Sequence, residues 1–192
     1  MKQVYQLAAV VFFALLVGVA FYSSKRPEGN GRQAHTDAAA LAAAFAHLSQ
    51  QGNSACSEAF GVSILEMPDD ERVQGSCCSA MDFHRYTEQV EGLRQYRHIP
   101  EIPPDPYDIE AGLAKRLLGY YDMELTAEEQ RAYDYAMEHS HEKGPCCCRC
   151  WRWYVYGGLG KYLIRRYGFT GEQLTEVWNL SDGCGGSGEH VH

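Results

Sequence analysis

The chain has 192 residues, enough for one domain of ordinary size with a short anchor or tail. Lys plus Arg number 17 against 25 Asp plus Glu, and the resulting formal charge of −8 argues against nucleic acid and anionic lipid surfaces as partners. Eight cysteines, an even number, leave disulfides, metal ligation and redox chemistry open, so the compartment matters early.

The first element speaks to it. Residues 4–22 are almost continuously apolar, interrupted by Gln6 and carrying no charge, with Lys2 before them and Lys25 and Arg26 after. A helix of about 19 residues just crosses a bilayer. The same stretch fits a signal peptide with a small-residue cleavage site after Ala20. Length favours the uncleaved anchor, and no cysteine precedes Cys56 to accept a lipid. Either reading places the rest of the chain outside the cytoplasm, in a periplasm or on the outer face of the membrane. Residues 1–24 are thus expected as anchor or signal segment and 25–35, rich in Pro, Gly, Asn and charge, as a flexible tether.

Residues 36–182 are expected to form a helical, cysteine-rich domain. Thr36-Asp37 can cap an alanine-rich helix over 38–49, and 56–76 read as irregular with one apolar patch at 62–67. Phe83, Tyr86, Val90, Leu93 and Tyr96 stand at helical spacing within 81–97. Pro100, Pro103, Pro104 and Pro106 force an extended connector lying across its own domain. A helix over 109–121 follows, and Thr126 with Glu129 forms a capping-box pattern opening a helix to about His139, its inward face Ala132, Tyr133, Ala136 and Met137. Trp151, Tyr154, Val155, Gly158, Leu159, Tyr162 and Leu163 make an unbroken apolar stripe ended by Gly168. Gly157, Gly158 and Gly160 inside that helix mark close approach of another element, since each costs about 1 kcal/mol relative to Ala. A last short helix covers 170–180, and 183–192 read as a flexible glycine- and histidine-rich tail. With no strand alternation, the fold expected is all-α: a small helical bundle with a cysteine-rich loop leading into a long aromatic helix.

The chemistry gathers at GPCCCRCWRWYVYGG, where Cys146, Cys147, Cys148 and Cys150 stand within five residues. A helix start lowers a thiol's pKa, and thiolate is the form that binds metal or attacks disulfides. If the helix begins near Cys147, then Cys147 and Cys150 share a face. The vicinal Cys77-Cys78 repeats the theme, and Cys184 in DGCGG sits on backbone free to fold over a site. A return of the 170–180 helix antiparallel to its predecessor would bring Cys184 back to the cysteine run. His139 and His141 flank the same Gly-Pro as the cysteines and add candidate ligands, although helix-terminal cations are the plainer account. His190 and His192 read as tail.

Pro145-Cys146-Cys147-Cys148-Arg149-Cys150 resembles the signature of the PCYCGC-motif proteins, bacterial extracytoplasmic proteins often anchored by lipid. Cys147 stands at the motif's Tyr and Arg149 at its Gly. The resemblance implies a surface or periplasmic location and a metal role, with no established reaction.

Three accounts compete. The first is a thiolate site for a soft metal, Cu(I) ahead of Zn(II), because zinc usually draws four ligands from separated pairs. The second is a disulfide-stapled structural or interaction domain, pairing the 146–150 run with Cys56, Cys77, Cys78 and Cys184. The third is thiol redox chemistry at Cys147-x-x-Cys150, without the βαβ context that motif needs. No GxSxG, HExxH, phosphate loop or dinucleotide fingerprint occurs, so no enzyme is expected. The expected partners are the metal, the membrane through the N-terminal segment, and a metal-donating or metal-accepting protein.

Overall fold

The structure is a computed structural model and describes residues 29–186. The expected anchor or signal segment 1–24, residues 25–28 of the expected tether, and His190 and His192 lie outside those residues. The chain divides into two units, Met1–Ala40 and Leu41–His192. Among the described residues there are seven helices and little strand, and no helix is long and apolar enough to cross a membrane.

Helix α1 covers Gly29–Leu48, so residues 29–35 of the expected tether are helical; no proline follows Pro27 to stop the helix there. Its C-terminal half sets Leu41 and Leu48, with Ala44 and Phe45, against Tyr86 and Tyr107. Helix α2, Glu58–Glu66, falls where the sequence reads as irregular. Its entry is nonetheless conventional, since Ser57 Oγ accepts from the Phe60 N–H, and it buries Ile64. Strand β1, Arg72–Gln74, pairs antiparallel with β2, Asp108–Glu110, in the register Val73 opposite Ile109. Three-residue strands are too short to show alternation, which is why this ribbon leaves no sequence signal. Between them run α3, Phe83–Leu93, capped by Asp82, a 3₁₀ turn at Arg94–Tyr96, and the proline connector. The connector does cross its own domain, burying Ile99, Ile102 and Tyr107. In α3 Tyr86 and Leu93 point inward as expected, whereas Phe83 at its first turn is exposed.

Helices α4 (Ala111–Leu118), α5 (Ala127–His139), α6 (Trp151–Tyr167) and α7 (Gly171–Ser181) enclose the main core. Both α5 and α7 open with capping boxes, Thr126 with Glu129 and Thr170 with Gln173. Gly168, at φ +67°, ends α6 in the left-handed conformation that glycine reaches without a Cβ penalty. The glycines of α6 are contact points: an added Cβ at Gly158 would lie 2.0 Å from Leu117 O, and one at Gly160 2.8 Å from Trp178. Helix α7 returns antiparallel to α6, for Trp178 Nε1 donates to Tyr156 O at 3.0 Å and the residues past its end reach back to Cys146 and Cys147.

Glu129 does double duty. Beyond its capping role it accepts from Arg165 of α6, and that guanidinium, with the Thr126 N–H, pulls the carboxyl down to about 2. A carboxyl depressed in the folded state contributes stability above its unfolded value of 4.5, and that contribution is lost as pH falls toward 2. We therefore expect the melting-temperature gap between the parent protein and Glu129→Gln to be constant above the unfolded value and to close on acidification toward 2. A gap independent of pH would show that the carboxylate's charge contributes nothing.

Candidate metal centre

Four separate segments bring their cysteines to one place. The loop holding Cys56 is tied to the end of β1, where Asn53 N and Ser54 N both donate to Gln74 O at 2.9 Å. The Cys77-Cys78 loop leaves the same strand and is stitched to the chain beyond α7: Cys77 N donates to Gly183 O at 3.2 Å and Ser79 N to Cys184 O at 2.9 Å. Gly186 N closes the pairing on Ala80 O at 2.8 Å. The expected tail therefore does not begin at residue 183; Gly183, Cys184 and Gly185 are buried. Gly185, at φ +82°, lies so close to Ser79 O that an added Cβ would sit 2.4 Å away. Only glycine fits there.

The cysteine run is an irregular loop between α5 and α6. Ser140, buried at the end of α5, anchors it, accepting from Gly144 N at 2.8 Å and donating to Gly144 O at 3.1 Å. The Trp153 ring covers Gly144, and Arg149 lies over the same ring at 5.1 Å. Helix α6 starts at Trp151 with Cys150 as its N-cap, later than a start near Cys147. Cys147 and Cys150 consequently share no helical face; consecutive cysteines point in different directions because the loop has no repeating geometry.

All eight cysteines are free and form one connected set. Cys56 Sγ lies 2.9 Å from Cys148 Sγ and Cys147 Sγ 3.0 Å from Cys184 Sγ. Cys146 Sγ is 3.5 Å from Cys184 Sγ and 3.6 Å from Cys150 Sγ. Cys77 and Cys78 are 3.6 Å apart, and Cys78 reaches Cys147 at 3.8 Å. Four groups of three have all their sulfurs within 4.8 Å of one another: 56/78/148, 77/78/184, 77/146/150 and 146/147/184. These groups can hold a metal ion.

Electrostatics around the sulfurs is asymmetric. Cys77 is the thiol whose pKa is lowered, because the neighbouring thiols of Cys146, Cys150 and Cys184, within 4.8 Å in its groups, can stabilise its thiolate and Arg152 adds positive charge. Contacts with Cys150 and Cys184, and then Cys77, push the Cys146 thiol well up, while burial does the same for Cys78 and Cys148. Several thiolates crowded together are unfavourable without cations among them.

Arg152 is wholly buried. Its Nη1 donates to Pro106 O at 2.6 Å and Nη2 to Gly75 O at 3.2 Å, both backbone carbonyls. The guanidinium lies 4.6 Å from the Trp151 ring centre, and an added Cβ on Gly183 would strike it at 2.1 Å. Among the described residues no carboxylate pairs with it, and its Nε has no partner. Burial works against this cation, but Tyr156, Cys77, Cys146 and Tyr107 hold its pKa above the ordinary arginine value. A buried guanidinium with no ion-pair partner is costly unless anionic groups stand nearby, and Asp105 and the thiols are the acids whose charge acts on it.

Of the expected ligands, Cys77, Cys78, Cys146, Cys147, Cys148, Cys150 and Cys184 all converge. His139 and His141 do not join them. His139 Nδ1 lies 2.7 Å from Tyr135 O with its ring stacked on Tyr135, and no histidine belongs to any converging group among the described residues. The His141 N–H donates to Asn179 Oδ1 at 2.8 Å, and its side chain is on the surface. Cys56 is the ligand candidate that spacing reasoning left to the disulfide account; only the even cysteine count pointed to it. Arg152 carried no signal at all, because it sits beside the Trp151 stripe where a solvated charge is expected. No family model, curated protein or solved structure matches the chain.

Proposed function

We propose that the protein binds Cu(I) through its clustered cysteine thiolates, outside the cytoplasm and tethered to the membrane by residues 4–22. The observation that carries the metal reading is the convergence of eight free sulfurs from four chain segments into one set of overlapping groups. Each group holds three sulfurs, and none holds four. Tetrahedral zinc, with Zn–S bonds of about 2.3 Å, would require four sulfurs all about 3.8 Å from one another. Three-sulfur groups and soft donors suit Cu(I). The tether and compartment rest on the apolar segment with its flanking cations and on the resemblance to PCYCGC-motif proteins. Handling or storage of copper, rather than a reaction, is the role proposed.

The disulfide reading draws on the two closest pairs, Cys56–Cys148 and Cys147–Cys184. Protein isolated anaerobically from its native compartment separates the two. We expect bound copper, several thiols that alkylate once copper is removed and the chain denatured, and a lower melting temperature after chelation. A ligand at a thousandfold its Kd stabilises the folded state by about 4 kcal/mol. Metal-free protein with all eight cysteines oxidised would sink the copper reading.

A further inference from the structure

The four groups share corners in a definite pattern. Cys77 belongs to 77/78/184 and 77/146/150, Cys146 to 77/146/150 and 146/147/184, and Cys184 to 77/78/184 and 146/147/184. These three groups close into a ring. The fourth, 56/78/148, joins the ring through Cys78 alone. Burial differs between the groups. Each ring group contains at least one buried cysteine (Cys184, Cys146 with Cys150, and Cys146 with Cys184), although Cys78 and Cys147 are exposed and Cys77 is half-buried, whereas the outer group contains none: Cys56 and Cys78 are exposed and Cys148 is half-buried. A thiolate sulfur has lone pairs enough to bridge two soft ions, and Cu(I) accepts two or three thiolates.

Resting on the copper reading above, we propose that the site is a thiolate-bridged cluster of four Cu(I) ions, one per group: three in an inner ring bridged by Cys77, Cys146 and Cys184, and a fourth at Cys56, Cys78 and Cys148 that exchanges with the surroundings. Each inner ion keeps at least one buried ligand and shares bridging sulfurs with its neighbours, which slows its displacement by an incoming thiolate. The outer ion presents an open edge at which a chelator or another protein's thiolates replace its ligands one at a time. Entry and exit of copper pass through this position. No electron changes hands; each ion displaces the protons of its thiols, and the protons go to solvent.

The test is anaerobic titration of the reduced, full-length protein with Cu(I) in the presence of a chromophoric Cu(I) chelator. Binding should break at four ions per chain, and excess chelator should then strip one ion rapidly and three slowly. Cys56→Ser should break at three and lose the rapid phase, with the slow phase unchanged. Cys77→Ser, which removes a corner shared by two groups, should lower the break by two. Circular dichroism of each metal-free variant should match the parent. A break at one ion, a single exchange rate for all four, or a Cys56→Ser protein still binding four would overturn the cluster while leaving copper binding intact. Failure to retain any Cu(I) against the chelator would instead overturn the copper reading itself.

Discussion

Replacing Arg152 with methionine should weaken Cu(I) binding by a hundredfold or more while altering the stability of the metal-free protein by no more than about 2 kcal/mol. The two halves of that expectation have different causes. In the metal-free protein Arg152 is a buried cation served by two backbone carbonyls, Pro106 O and Gly75 O, and by the faces of Trp151 and Tyr107. Methionine removes an expensive desolvated charge and leaves those carbonyls without their donor, at about 1–3 kcal/mol each, so the effects largely offset. In the loaded protein the balance changes. Four monovalent ions on eight thiolates leave an anionic cluster, and Arg152 is the buried cation beside it. Withdrawing one partner of a buried charge pair costs about 3–5 kcal/mol, and 1.4 kcal/mol is tenfold in affinity. Arg152→Lys retains the charge and should recover part of the loss. Competition titration with thermal unfolding of both forms reads the result. Equal affinity with a large loss of metal-free stability would make Arg152 a structural residue and nothing more.

Gly158→Ala should be among the most damaging single methyl additions at the described residues. The new Cβ would stand 2.0 Å from the carbonyl oxygen of Leu117, in the α4–α6 contact. A side chain could rotate away, but this neighbour is backbone within a helix, so the two helices must separate. Overpacking a well-filled core costs about 1–3 kcal/mol and sometimes more, and a rigid backbone neighbour places this case at or above the upper end. At roughly 2–4 °C per kcal/mol for a chain of this size, the melting temperature should fall by about 10 °C. Gly61→Ala is the matched control. It lies in α2 with its nearest neighbour, Trp151 Cβ, at 3.6 Å, an ordinary contact. There the methyl should be neutral or stabilising by up to about 1 kcal/mol through helix propensity. Similar behaviour of the two variants would mean that α4 and α6 do not touch as described.

Features written within one or two helical turns are legible in the chain alone. The cap at Thr126, the stop at Gly168 and the inward stripe from Trp151 to Leu163 depend on neighbours three or four residues away, and those neighbours are visible in any reading of the chain. The glycines of α6 belong with them, because three glycines inside an apolar helix are unfavourable unless another element comes close, as Leu117 and Trp178 do. The return of Cys184 to the cysteine run was also legible, as the consequence of a short connection between α6 and α7. Tertiary structure alone decided the rest. Strands of three residues, and a helix at 58–66 within a stretch that reads as irregular, take their form from what they pack against. Convergence of Cys56 and Cys77-Cys78 on the run depends on backbone bonds across long separations, from Asn53 to Gln74 and from Ser79 to Cys184. No local spacing encodes such bonds. His139 and His141 stand nearer in sequence to the run than Cys56 does, yet stay outside every converging group, since a loop without periodicity gives sequence distance no meaning in space. Arg152 shows the same limit from the side of charge: a guanidinium next to a tryptophan stripe looks solvated until the carbonyls of Pro106 and Gly75 and the thiols enclose it.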